Sequence, residues 1–142
     1  MNDAMNAGSI LWPVLAHLAL VQVLFAMVSL RRWQAVRAGE IAYSDLAPAG
    51  GEPERSRRWA RNLDNQFQVP MLFYAVVALL HATGTLEPWQ TALAWAFVAG
   101  RVAHTVVQVS GDDVALRGRV FAINYLAVSA MWLLFLARMA GW

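Results

Sequence analysis

The chain has 142 residues, 59% of them hydrophobic and only 14% charged, with a mean hydropathy of +0.45. Soluble domains carry about a quarter of their residues as charges, so this composition is that of an integral membrane protein. Cysteine is absent, which excludes disulfides, thiolate metal sites and catalysis by a protein thiolate. The net charge of +2 arises from eleven arginines without a single lysine. They gather on two loops instead of spreading over one face, so no nucleic-acid role is read.

Ile10 to Leu30 carries no formal charge and is stopped by Arg31 and Arg32, a first transmembrane helix. Pro13 falls in its opening turn, where a missing N–H costs little. Asp3 precedes it with no basic leader and no small-residue cleavage site, so this helix is expected to remain in the mature protein. His17 and Gln22 are five apart, lie on different sides, and are expected to make packing hydrogen bonds. From Trp33 to about Pro53, charged, small and turn-forming residues read as an exposed loop.

From Glu54 the sequence ERSRRWARNLDNQFQVPMLFYAVVALLHATG reads as one long helix entering the membrane near Val69, kinked at Pro70. Arg58, Arg61, Asn65 and Gln68 follow +3, +4, +3 steps and draw a polar stripe down one face. Headgroup anchoring accounts for the arginines alone; Asn62, Asn65, Gln66 and Gln68 continue inward and need buried partners.

Gly84 to Pro88 forms a turn, and Thr91 to Val109 is a third apolar span interrupted by Arg101, His104 and Gln108. Their i, i+3, i+7 spacing puts them on one helix face. Arg101 lies roughly 12 Å of helix from the end of its span, far for snorkelling. Ionisable groups at such depth normally face a bundle interior or a wet cavity. After the polar turn Ser110 to Asp113, with Arg117 just beyond the membrane, Val120 to Ala140 forms a fourth span. The expectation is one all-α domain over 1–142, a four-helix transmembrane bundle with helices at about 10–30, 55–83, 89–109 and 118–140.

Arg31, Arg32, Arg37, Arg55, Arg57, Arg58 and Arg61 sit between the first two spans, and Arg117 and Arg119 between the last two. By the positive-inside rule both loops are cytoplasmic and both termini lie outside. Trp12, Trp89 and Trp142 then mark the outer boundary. The stripes and Arg117 converge in the cytoplasmic half of the bundle.

Arginine forks bind carboxylates bidentately. An arginine can also hold a thiol as thiolate, the attacking species; with no cysteine in the chain, that thiol would come from a cosubstrate. No metal site is read.

GRVAHTV at Gly100 to Val106, with an arginine sixteen residues after Arg101, resembles the third-helix motif of microsomal prostaglandin E synthases. The four-span plan and the Arg/Asn-rich entry to the second helix before a proline resemble the membrane-associated proteins in eicosanoid and glutathione metabolism, the MAPEG family. The resemblance covers Glu54 to Tyr125 by motif and the whole chain by topology. The membrane itself is expected to be a bacterial inner membrane; the resemblance implies a homotrimer with glutathione held between subunits on the cytoplasmic side. It further implies that Arg117 stabilises the glutathione thiolate as the catalytic residue, that His104 lines the pocket, and that Arg61 with Asn62 or Asn65 grips the tripeptide. Arg58, Gln68, Arg101 and Gln108 complete the expected binding set. The family pattern places a glutamate three residues after the motif asparagine, where this chain has Gln68, or Asn65 in the other register. Gln108 replaces a family tyrosine; Phe121 and Tyr125 supply aromatics further on.

Three functions stay open. One is a glutathione-dependent transferase or peroxidase acting on lipophilic electrophiles. Another is a non-catalytic lipid-binding or regulatory membrane protein. The third, a proton or solute pathway, suits a single-sided polar pocket least.

Overall fold

In hydrocarbon each backbone N–H and C=O must be satisfied within its own segment, so long apolar runs become helices. A computed structural model describes residues 10–46, 51–111 and 113–141. All regular structure among them is helical: α1 (Leu11–Arg37), a 3-10 turn (Tyr43–Leu46), α2 (Glu54–Asp64), a second 3-10 turn (Asn65–Phe67), α3 (Val69–Thr83), α4 (Pro88–Ser110) and α5 (Val114–Met139). With α2 and α3 taken as one span, four helices are long and apolar enough to cross a membrane. The protein is an all-α membrane bundle of four spans. Trp142 and the loop residues 47–50 lie outside the described residues.

Three boundaries differ from the sequence expectation. The first helix continues past Arg31 and Arg32 to Arg37, because the arginines end the apolar stretch without ending helix propensity. The second span is not continuous up to a kink at Pro70: α2 stops at Asp64, and the break falls over Asn65–Gln68. A proline removes the hydrogen bond to the carbonyl four residues earlier, here Gln66, and crowds it, so the disruption lies upstream while Pro70 sits in the first turn of α3. The last helix starts earlier than residue 118, because the Asp113 carboxylate caps it by accepting from the Leu116 N–H at 2.8 Å. Arg117 therefore belongs to the first turn and a half of α5.

Other ends follow local chemistry. Gly84, at φ 64, closes α3 in the left-handed conformation. Glu87 and Gln90 form a reciprocal capping box at the start of α4, with Pro88 as its first residue. The most extensive packing is α4 against α5, and a Cβ at Gly100 would overlap the side-chain oxygen of Asn124 on α5. Phe73 of α3 and Phe97 of α4 stack at 4.4 Å between ring centroids, inside a buried apolar cluster with Val76, Leu80, Val128 and Met131. Leu15, Phe25, Leu126 and Leu133 point outward as exposed side chains, which suits a lipid-facing surface.

Candidate functional site

The break between α2 and α3 is tied down by a buried polar network. Gln66 accepts at Oε1 from Arg101 Nε at 3.0 Å and from His17 Nε2 at 3.1 Å. An arginine can only donate, which fixes the orientation of the Gln66 amide, and the amide oxygen in turn requires the proton of His17 on Nε2. His17 Nδ1 then accepts from the Tyr74 hydroxyl at 2.6 Å. On its other side Gln66 Nε2 donates to the backbone and side-chain oxygens of Asn62, and Arg101 Nη2 donates to the Asn65 carbonyl at 3.0 Å. His17 thus makes the packing bonds expected of it, whereas Gln22 is exposed.

Arg101 and Gln66 are fully buried in this network. Arg101 fastens the distorted backbone at Asn65, so the 3-10 turn is held from below by α4. Asn62 is also fully buried and belongs to the network.

Above the network, toward the α4–α5 turn, α2, the 3-10 turn, α4 and α5 border an open cavity of about 480 Å³. Arg61, Asn65, Gln68, His104, Gln108 and Arg117 all line it. The stripes drawn from sequence on the second and third spans meet here, together with the arginine of the last. Asn65 Nδ2 donates to Gln108 Oε1 at 3.0 Å and joins the two sides. Arg58 lies in an adjoining polar pocket of about 210 Å³ that shares Arg61, Gln108 and Arg117. Asn62 and Arg101 support the cavity without lining it.

A profile of known sequences decides what kind of bundle this is: the sequence model of the MAPEG family matches residues 9–137. The chain belongs to the MAPEG family. The match is to the family as a whole and singles out no member. No curated protein and no solved structure matches. Membership in MAPEG is consistent with glutathione-related transfer or with eicosanoid metabolism.

The fit of glutathione can be judged from the cavity itself. Glutathione has two carboxylates, one ammonium and a thiol. Arg61 and Arg117 supply two guanidinium forks for the carboxylates and the thiolate. His104 Nδ1 is buried without a hydrogen-bond partner, on a side chain that lines the cavity and lies near Phe121, 6.2 Å between ring centroids. The N-terminus of α5, beside Arg117, adds the positive end of a helix dipole. These residues fit such a ligand. Among the described residues no cluster of acidic or histidine side chains could hold a metal ion.

Sequence reasoning missed Asp64, Gly118 and the part played by Gln66. Gly118 lines the cavity, and a Cβ there would meet nothing within 4 Å. Gln66 carries a sequence signal, one helical turn after Asn62 on the buried side. Asp64 has one too, three residues after Arg61 and four before Gln68 on the same helix face.

Proposed function

We propose that this protein is a glutathione-dependent transferase or peroxidase acting on lipophilic electrophiles that enter from the bilayer. The observation that carries the reading is the gathering of Arg61, His104 and Arg117, from three helices, with Asn65 of the 3-10 turn, around one polar cavity. In this reading Arg61, Asn65 and Gln68 hold the tripeptide. Arg117 faces the thiol and favours its ionised form through charge and the α5 dipole. The sulfur then attacks an electrophilic carbon, and the leaving group departs with the bonding pair. Phe121 and His104 border the place where an apolar substrate meets the sulfur.

The same reading includes a homotrimer, both termini outside, and a bacterial inner membrane. Support for the orientation is that nine of the eleven arginines fall on the two loops assigned to the cytoplasm. The chain lacks cysteine, so Tyr43→Cys in the exposed loop gives a single label site; modification by an impermeant maleimide in intact cells would refute the orientation.

Glutathione binding to detergent-purified protein, measured by calorimetry, tests the function. Micromolar to low-millimolar binding with turnover of an activated aryl chloride is expected. Absence of both leaves the non-catalytic lipid-binding reading in its place.

A further inference from the structure

A second pocket, of about 440 Å³, lies at the arginine-rich end of α1, where Ser29, Arg32, Trp33 and Val36 face Tyr43 and Leu46 of the first 3-10 turn. Its volume falls within the range of about 300–1,000 Å³ common to small-ligand sites, and it shares no lining residue with the polar cavity. The four α1 residues follow i, i+3, i+4, i+7 and stand on one helix face. The apolar run of α1 ends at Leu30, so the pocket straddles the bilayer boundary. From Ser29 to Val36 it covers roughly 10 Å of helix, a little more than the headgroup layer of one leaflet, about 5–8 Å. Trp33 and Tyr43 are 53% and 81% exposed, so its aromatic walls open to that layer. Boundary aromatics commonly serve as anchors; here they wall a concavity beside an arginine, which an anchor does not require.

The charge at this helix end decides the class of ligand. Arg32 is held by Glu52 and also feels Asp64. The Arg37 guanidinium lies 4.8 Å from the centre of the Trp33 ring, and none of the salt bridges among the described residues uses it. The carboxylates of the following loop are engaged elsewhere: Glu40 pairs with Arg55, and Asp45 accepts from the Ala42 N–H and the Ser44 hydroxyl within its own turn. The negative end of the α1 dipole amounts to about half a charge and offsets Arg37 only in part. An ammonium headgroup would meet a Trp33 ring already faced by a cation. A phosphate meets two guanidiniums beside an apolar wall. We propose that this pocket binds one anionic glycerophospholipid, with its phosphate at Arg37 and Arg32 and its glycerol and first chain carbons between Trp33, Val36, Tyr43 and Leu46. The site is independent of the glutathione reading.

The test uses the full chain, stripped of lipid in a neutral detergent. Phosphatidylglycerol and phosphatidylcholine with the same chains are offered together, bound lipid is counted by native mass spectrometry, and melting curves are read with each. Phosphatidylglycerol is expected to be preferred roughly fivefold, the scale of one arginine at an anionic lipid, and to raise the melting temperature. Arg37→Gln is expected to remove the preference, and Tyr43→Ala to weaken both lipids several-fold. Both positions are exposed, so folding is retained, and the lipid-free melting curve checks it. Arg119→Gln, exposed on the other basic segment, is expected to change nothing. Glycerol 3-phosphate alone is expected to leave the melting temperature unchanged, which separates a lipid site from a phosphate site. Equal retention of the two lipids, preference for phosphatidylcholine, an unaffected Tyr43→Ala, an Arg119→Gln effect as large as that of Arg37→Gln, or full stabilisation by glycerol 3-phosphate overturns the proposal, whatever the outcome for glutathione.

Discussion

Arg101 of α4 donates at 3.0 Å to Gln66 in the 3-10 turn between α2 and α3, and no carboxylate of the described residues forms a salt bridge with its guanidinium. A buried cation is therefore held by neutral oxygens, those of Gln66 and of the Asn65 backbone. Removing a partner from a buried charge costs far more than the bond itself is worth.

Gln66→Leu strips the acceptor from both Arg101 and His17. The expected loss is about 3–5 kcal/mol, read as a lower melting temperature in mild detergent. Gln66→Glu keeps the oxygen that accepts from Arg101 and His17 and adds a counter-charge, but loses the two bonds that Nε2 donates to Asn62, so its loss is expected to be smaller than that of the leucine variant. A leucine variant as stable as wild type would show that the network carries no weight.

Two glycines on either side of the site should respond in opposite directions. Alanine at Gly100 has to displace Asn124, forcing α4 from α5 at an expected cost of about 1–3 kcal/mol. Alanine at Gly118 enters open space and removes backbone freedom from the unfolded chain, so it should be neutral or stabilising by up to about 1 kcal/mol. Gly118→Phe should then fill the cavity and abolish ligand binding with the fold intact. Equal melting temperatures for the two alanine variants would contradict the close approach at Gly100.

Much of this arrangement was legible in the chain. Apolar length fixes the spans, and helical periodicity puts Arg101, His104 and Gln108 on one face and Arg61, Asn65 and Gln68 on another. Both patterns are local. Periodicity also groups Arg101 with His104 without saying how deep each lies; only tertiary packing shows that Arg101 braces the α2–α3 break while His104 reaches the cavity. Asp64 reaches the cavity wall from the end of α2, before the break, on the same face as Arg61 three residues earlier. The missed start of α5 had a readable cause in the Asp113 cap.

The Arg32–Glu52 pair joins the end of α1 to the segment before α2, with side chains 40% and 23% exposed. Burial alone would raise the Glu52 carboxyl, but hydrogen bonds from Arg32 and Ser56 and the charges of Arg32 and Arg57 outweigh it and hold it below the usual glutamate range. A depressed folded-state pKa means stability that is present above the unfolded value, about 4.3, and lost as pH falls through the lower folded value. Glu52→Gln should therefore melt below wild type at pH 7, and the gap should close in acid below both values. A gap that persists there would assign the effect to packing and not to charge.

The chemistry in the proposed function concentrates on Arg117. It stands in the first turns of α5, above the Asp113 cap, where the helix dipole and its own charge favour an anion together. Arg61 and the arginines of the adjoining pocket remain to hold carboxylates when Arg117 is removed. Arg117→Ala is therefore expected to leave glutathione binding within a few-fold and to lower kcat with an activated aryl chloride by about 10²-fold or more, the signature of an interaction that matters after binding. Lysine at the position retains charge but not the fork, and should retain part of the rate. The pH dependence separates the causes. If Arg117 keeps the thiol ionised, the alanine variant should recover activity as pH rises toward the ordinary thiol range near 8.5. A uniform loss at every pH would instead place Arg117 in substrate positioning, and an unchanged rate would remove it from the reaction.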